Sequence, residues 1–298
     1  MKKVIYALQI FLLTTFIFFS CSDDNNDNDD QFYDDWTVTG SGLSADVPKN
    51  ILTEFVGSTK CPYCPESDSL LLSYLDPSHV NYVGSSIANK WFIINYHTYH
   101  PTWGDPMFEF LRGDTEENDY CCIRFGAGCD AGGNWYNIGG VPTIFTNGSY
   151  SNVNTDMTSG PLSKMTPIQM SLDGTTIDGS NIQVKVTIRS SSDLTSENSL
   201  YLFIAATLDN VDYEGYNGEK HHQDVFLGWI NEGLDGELLS IANKEQKKSY
   251  TWEMPGNWPQ NNIETSWTRV EWDATNLKVV AFIQNQTTKE VLQVAGIK

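Results

Sequence analysis

The feature that most constrains this 298-residue chain is a pair of cysteines placed between a predicted strand and a predicted helix. Residues 51–56 have the short, largely apolar pattern of a buried strand. Residues 65–75 have leucines at helical spacing, with Glu66 and Asp68 in the first turn, where acidic side chains complement a helix N-terminus. Cys61 and Cys64 therefore form a CxxC motif (two cysteines separated by two residues) at a strand-to-helix junction.

The position of this motif favours redox chemistry. The free N–H groups and positive potential of a helix N-terminus stabilise a thiolate, and only a thiolate attacks a disulfide. The sequence therefore predicts Cys61 as the exposed nucleophile and Cys64 as the more buried resolving cysteine. Pro62 and Tyr63, between them, are expected to contact the substrate, and Lys60 would further favour the thiolate.

Two other roles fit the same cysteine spacing. The pair can be a structural disulfide that staples the domain, or half of a metal site, because CxxC spacing also suits zinc. The strand-to-helix context and the absence of a second CxxC motif from the sequence favour the redox role.

Two further strands are predicted over residues 91–96 and 141–146. At the start of the second of these, the segment from Gly139 to Pro142 resembles an element of thioredoxin-like folds. In that element a cis-proline lies opposite the active cysteines. The resemblance implies a cis Val141–Pro142 bond and a substrate peptide that pairs with the backbone of Val141. Residues 97–140 are predicted to form a packed insertion with a short helix.

The second half of the chain has a different pattern. From about residue 166 onwards, segments of alternating apolar and polar residues predict about seven short strands separated by turn signals. This pattern is typical of an antiparallel β-sandwich of immunoglobulin-like type. The predicted fold class is therefore an α/β thioredoxin-like N-terminal domain over residues 45–160, followed by an all-β immunoglobulin-like sandwich over residues 165–298.

Three parts of the sequence resemble one known family. Residues 51–57, leading into the cysteine pair and Pro65, resemble the start of the "28-kilodalton outer membrane protein"-related lipoproteins, and residues 221–227 and 277–285 resemble later motifs of that family. The resemblance implies the same two-domain architecture. It also implies that Glu54 is a buried proton acceptor for the resolving thiol, although a satisfied strand-end acid is an equal alternative. Glu54 lies seven residues before Cys61, one more than is usual in the family.

Three more cysteines fall in the predicted insertion: Cys121, Cys122 and Cys129. We predict a structural disulfide that joins Cys129 to Cys121 or Cys122, which leaves one thiol over in an oxidising compartment. A strained bond between the two neighbouring cysteines, exchange with the CxxC pair, or metal binding by all three are alternatives. His97 and His100, with Asp105, are weak candidates for binding copper or zinc, and we predict no cofactor.

The N-terminus has the pattern of an exported lipoprotein. A basic start followed by an apolar run predicts a signal peptide over residues 1–20, and Cys21 resembles the lipidated cysteine of a bacterial lipobox. Residues 21–44 are expected to form an acidic disordered tether. These features predict an outer-membrane lipoprotein, at the periplasmic face or the cell surface, that meets the membrane through its lipid anchor only.

The charge of the chain restricts its partners. The formal net charge is −20, and a surface this acidic repels phosphate backbones, so we exclude nucleic acid as a partner. The function predicted from the sequence is thiol–disulfide exchange on protein thiols and disulfides outside the cytoplasm. The alternative is a non-enzymatic surface module in which the CxxC pair is structural.

The predicted anchor can be tested by metabolic labelling. We expect a labelled fatty acid to be incorporated into the wild-type protein and not into the variant Cys21→Ser, because the thiol is the attachment point. Label that persists in the variant would contradict lipidation at Cys21.

Overall fold

A computed structural model describes residues 31–111, 119–126, 133–151, 164–178, 181–231, 233–254 and 274–297. The predicted signal peptide, Cys21 and Cys129 lie outside these residues. Part of the predicted tether lies inside them, and its residues 37–41 form a strand.

The described residues form mainly β-strands. The α-helices among them are α1 (Cys64–Ser73), α2 (Ser85–Ala88), α3 (Pro106–Leu111) and α4 (Tyr120–Phe125). Within the same residues, no helix is long and apolar enough to cross a membrane. The strands are, in chain order, β1 (Thr37–Ser41), β2 (Val47–Pro48), β3 (Ile51–Gly57), β4 (Trp91–His97), β5 (Thr143–Thr146), β6 (Ser149–Ser151), β7 (Met165–Thr166), β8 (Ile168–Asp178), β9 (Asn181–Ser190), β10 (Leu200–Leu208), β11 (Val211–Asp212), β12 (His221–His222), β13 (Val225–Trp229), β14 (Glu237–Leu238), β15 (Lys244–Glu253), β16 (Leu277–Asn285) and β17 (Val291–Ile297).

One nine-stranded sheet combines strands from both halves of the chain. Its order is β17-β16-β10-β13-β4-β3-β5-β6, and β14 pairs with β10 beside this path. Strand β4 runs parallel to β3 on one side and parallel to β13 on the other, where Val225 is paired with Asn95. The Asn95 N–H donates to the carbonyl of Asp224 at 2.8 Å. A second sheet has the order β1-β15-β9-β8 and is antiparallel throughout.

The two faces of the large sheet are covered by different structures. Leu52 and Phe203 belong to one face of the sheet, which we call the aromatic face. It packs against the side chains of Tyr96, Phe108, Tyr120, Phe125, Trp135 and Tyr136. Their neighbours Ile51 and Ile204 point the opposite way, because side chains alternate along a strand. On this second face, which we call the helix face, α1 covers β3, β4 and β5, while the four-stranded sheet covers the strands of the second half.

The predicted fold class is wrong. The chain is mostly β, and the first half is not a separate α/β thioredoxin-like domain, because β13 continues its sheet beside β4. The four-stranded sheet and the aromatic residues take the place of the helices that cover both faces of an α/β sheet. The predicted immunoglobulin-like sandwich is not separate either, since β10, β13, β16 and β17 belong to the shared sheet.

The shared sheet generates a prediction about fragments of the chain. We expect residues 45–160, expressed alone, to lack a cooperative unfolding transition, because the edge of β4 and the apolar side chains of both faces lose their partners. Residues 32–298, which keep the strands of both sheets, should unfold cooperatively when followed by circular dichroism in urea. A cooperative transition in the shorter fragment would show that the first half folds independently.

Candidate functional site

Cys61 and Cys64 form a disulfide at the start of α1, with 5.4 Å between their Cα atoms. The Cys61 N–H donates to the carbonyl of Ser58 at 3.0 Å, which closes the loop after β3. Helix α1 begins at Cys64, with Pro65 in its first turn, where a missing N–H is tolerated. The strand, the CxxC motif and the helix therefore follow one another as the sequence pattern indicates.

The two cysteines of the motif are both buried. Cys61 is 1% exposed and Cys64 is 2% exposed, so the predicted difference in exposure between nucleophile and resolver is not found in the disulfide form. Tyr63, by contrast, is 72% exposed, and Pro62 is also exposed. The motif thus presents its two central residues to solvent and packs its sulfur atoms inward.

The Val141–Pro142 peptide bond is cis, which confirms that prediction. Val141 packs against the apolar cluster that contains both cysteines of the motif. A second cis bond, between His100 and Pro101, was not predicted from the sequence. The segment before β5 therefore lies beside the apolar cluster to which the disulfide belongs.

Glu54 lies on the aromatic face and forms a buried ion pair there. Its Oε1 accepts from Arg124 Nε at 2.6 Å, and its Oε2 accepts from the Tyr136 hydroxyl at 2.8 Å. Arg124 Nη2, which also pairs with Glu54 Oε1, donates to Gln284 Oε1 at 3.0 Å, and Gln284 Nε2 donates to the Tyr136 hydroxyl at 2.8 Å. The network pairs both oxygens of Glu54, the Tyr136 hydroxyl and the Gln284 amide, whereas Nη1 of Arg124 is buried without a hydrogen-bond partner.

This position contradicts the predicted role of Glu54 as proton acceptor for Cys64. Glu54 shares its face of β3 with Leu52 and Val56, whereas the cysteines pack with Phe55 on the helix face. Because side chains alternate along a strand, Glu54 lies on the opposite side of the sheet from Phe55 and from the cysteines that pack with it. Glu54 is a structural residue of the aromatic face.

Arg124 is held between aromatic rings. It lies on α4, and the centroids of the Phe203 and Phe282 rings lie 4.7 Å and 5.1 Å from its Cζ atom. Burial alone would lower the pKa of Arg124, but the Glu54 carboxylate raises it above its ordinary value. Burial and the same carboxylate hold the pKa of Tyr136 well above its usual range. Arg124 therefore keeps its positive charge inside the protein.

Cys121 and Cys122, in the predicted insertion, differ in whether they form a disulfide. Cys121 is a buried free thiol, and its Sγ donates to the carbonyl of His97 at 3.3 Å. Burial raises the pKa of the Cys121 thiol well above its usual range. Cys122 is disulfide-bonded, and Cys129 lies outside the described residues. Cys121 is thus not part of a disulfide.

The histidine candidates do not form a metal site with their neighbours. His97 Nδ1 lies 2.8 Å from Asp105 Oδ2, which also accepts from the Thr59 N–H at 2.7 Å. His100 is half-buried and its ring stacks on Tyr99. Among the residues that the structure describes, no group of three or more His, Cys, Asp or Glu side chains has the arrangement to hold a metal ion.

A hairpin from the second half of the chain completes the site. Strands β11 and β12 pair with each other, and the loop between them packs on the loop that precedes Cys61. The Asn217 N–H donates to Thr59 O at 3.1 Å, and Asn217 Nδ2 donates to Ser58 O at 3.2 Å. Lys60 Nζ lies 3.0 Å from the centroid of the Tyr216 ring. Local sequence patterns contain no signal for this contact, because its partners are distant in the chain.

The same hairpin places Glu219 beside Asp68, an acid of α1. Asp68, which is 4% exposed, and Glu219 of the hairpin line the same cavity of about 600 Å³. Burial and then the Glu219 charge raise the pKa of Asp68 to about 8. The His222 ring lies nearby, 5.4 Å from the His97 ring, and burial followed by the charge of His97 lowers its pKa to about 4.

Comparisons with known proteins bear on the fold. No family model matches the sequence, and no match was found among curated proteins. The solved structure of HBP35 of Porphyromonas gingivalis is similar over 84% of this chain and 75% of its own, with 14% identity and a TM-score of 0.61. A domain of the outer membrane lipoprotein Omp28 from the same organism matches 45% of this chain and 88% of its own, with 20% identity and a TM-score of 0.30. The similarity to HBP35 shows the fold of this chain and not its activity.

The buried ion pair predicts a large loss of stability when one partner is removed. We expect Arg124→Met to lower the free energy of unfolding by about 3–5 kcal/mol, because the Glu54 carboxylate then stays buried without its cation. The control is Lys220→Met, which breaks an exposed pair with Glu214 and should cost less than about 1 kcal/mol. Urea denaturation measures both; equal losses would contradict the structural role of Glu54.

Proposed function

We propose that this protein exchanges thiols and disulfides with exported proteins through Cys61 and Cys64. The observation that supports the proposal best is the disulfide between these residues at the N-terminus of a ten-residue helix. The dipole of α1 and its free N–H groups favour a thiolate there after reduction. A thiolate is the form of cysteine that attacks disulfides.

The reaction proceeds by two exchange steps. In the reduced protein, the Cys61 thiolate attacks a substrate disulfide, forms a mixed disulfide and releases one substrate thiolate. Cys64 then attacks the Cys61 sulfur, which closes the disulfide of this protein and releases the second substrate thiolate. The substrate is thereby reduced by two electrons and the protein is oxidised by two. The reverse sequence would oxidise a dithiol substrate.

The residues around the disulfide suggest where a substrate would lie. Pro62 and Tyr63 are exposed between the two cysteines, and Val141 packs against the apolar cluster that contains both cysteines. An extended substrate peptide would pair with the backbone of Val141 and contact the Tyr63 ring. Backbone pairing does not depend on substrate side chains, so this surface would accept many sequences.

The same proposal places the protein at a membrane surface outside the cytoplasm. Lipid attached to Cys21 would hold the folded part to the outer membrane, at its periplasmic face or at the cell surface. The sequence supports this through the apolar run that ends at Cys21. Structural disulfides also form and persist in such compartments, and Cys122 is disulfide-bonded.

One observation favours a second candidate function. Because Cys61 is only 1% exposed, the disulfide can instead be a staple in a non-enzymatic surface-binding module. A staple of this kind resists mild reduction, whereas an exchanging disulfide is reduced readily. Reactivity towards thiols therefore separates the two functions.

We expect the wild-type protein to accelerate the reduction of insulin by dithiothreitol. Cys61→Ser should abolish this activity, because the nucleophile is lost, and Cys64→Ser should accumulate mixed disulfides on Cys61. The control Cys121→Ala removes the buried free thiol of the aromatic face and should keep the activity. A disulfide that resists mild reduction, together with equal rates for the wild type and Cys61→Ser, would identify the pair as a staple.

A further inference from the structure

The proposed exchange requires a group that removes the proton from the Cys64 thiol, and Glu54 is on the wrong face of the sheet to do so. We propose that Asp68, in a proton-sharing pair with Glu219, accepts this proton. This inference rests on the proposed function and assigns a proton-transfer role to two acids that the sequence pattern did not single out together.

The first support is position on the helix. Cys64 and Asp68 are four residues apart on α1, and residues at this spacing lie on the same side of a helix, with their Cβ atoms about 5–6 Å apart. Both are almost fully buried. Glu66, on the same helix, is exposed to solvent. Asp68 is therefore the acid of α1 that lies on the same side of the helix as the resolving cysteine.

The second support is that Asp68 and Glu219 line the same cavity, where the Glu219 charge adds to the effect of burial on Asp68. Two neighbouring carboxyl groups can hold one proton between them, in a hydrogen bond that the protonated acid donates and the carboxylate accepts. Such a pair binds one proton more tightly than either acid alone, since two neighbouring negative charges repel. Glu219 comes from the hairpin of β11 and β12, so the proton is shared between two distant parts of the chain.

The groups that face this pair set its proton affinity. Asp68 faces Glu219, His97 at the end of β4, and Asp224 before β13. Glu219 also faces Asp105 and the Asn217 side chain, and its Oε2 lies 3.6 Å from His222 Nδ1. Burial and the negative neighbours outweigh the effect of His97, and the pKa of Asp68 is about 8 as a result. A proton acceptor is most effective when its pKa lies near the working pH.

The proposed step balances atoms and charge. In the mixed disulfide, the Asp68 carboxylate takes the proton from Cys64 Sγ. The Cys64 sulfur then forms a bond to Cys61 Sγ, and the bond between Cys61 and the substrate sulfur breaks. The substrate leaves as a thiolate and takes a proton from solvent, while Asp68 returns its proton to solvent through the cavity that both acids line.

The test measures the resolution step alone. The reduced protein is mixed with dithiobis-nitrobenzoate, which releases one coloured thiolate when Cys61 attacks and a second when Cys64 resolves the mixed disulfide. We expect the rate of the second phase in the wild type to rise with pH through about 8, as Asp68 becomes a carboxylate. Asp68→Asn should slow this phase by about 100-fold and remove the inflection, since general bases typically contribute at least that factor.

Two further variants separate proton transfer from a structural effect. Glu219→Gln removes the negative neighbour while keeping the shape, so the inflection should move to lower pH. The control Glu66→Gln changes an exposed acid of the same helix and should leave the inflection where it is. An unchanged inflection in Asp68→Asn would overturn the role of Asp68, and an unchanged position in Glu219→Gln would overturn the pairing.

A direct titration keeps this inference distinguishable from the proposed function. In the oxidised protein, carbon-13 NMR of the aspartate carboxyl groups, assigned with Asp68→Asn, should show one group that titrates near pH 8 and shifts downward in Glu219→Gln. An ordinary titration for Asp68 would overturn the inference whatever the activity. If resolution never occurs in a protein with the expected titration, the proposed function is overturned, and with it the proton transfer from Cys64 to Asp68.

Discussion

The pairing of β13 with β4 is the interaction on which the rest of the structure depends. Without it, β4 would be the edge of the first-half strands, with its backbone groups unpaired. The hydrogen bond from the Asn95 N–H to the Asp224 carbonyl begins this pairing, and β13 then continues the sheet into β10 and β16. Because the hairpin of β11 and β12 directly precedes β13, the same pairing delivers Glu219 and His222 to the loop around the disulfide.

Side chains alternate along β3, so the buried ion pair and the disulfide lie on opposite faces of the sheet. One face carries Glu54 into a dry aromatic layer, where Arg124 neutralises it and the ion pair joins three distant segments. The other face packs against α1 and the disulfide. Buried ion pairs are sensitive to the loss of one partner, whereas a proton-exchanging acid must change its charge during turnover. A carboxyl group fixed by Arg124 is unsuited to exchanging protons. Glu54 therefore has the structural role on the aromatic face, and the proposed proton transfer belongs to Asp68 on α1.

Local patterns predicted the elements well and their partners poorly. Residues 51–56 and 91–96 were predicted as strands and correspond to β3 and β4, and the cis bond before β5 was predicted from its resemblance to a known element. The fold class was wrong because a buried apolar strand indicates that something covers it, not which strand pairs with it. Nothing in the pattern of residues 225–229 shows that they lie beside β4. The site was predicted in part for the same reason: Cys61 and Cys64 are local, while Asn217 and Glu219 arrive from a distant hairpin.

Asp68 shows how a distant contact changes the meaning of a local pattern. In the sequence it is an acid in the first turn of a helix, where a solvent-exposed carboxylate complements the dipole. The hairpin covers it, removes water from it and places Glu219 against it, so burial and repulsion favour the protonated form. The proton affinity of a group beside the disulfide is therefore set by a segment of the second half. If the disulfide exchanges, a sheet shared by both halves gives the second half control over the chemistry of the first, which two separate domains would not provide.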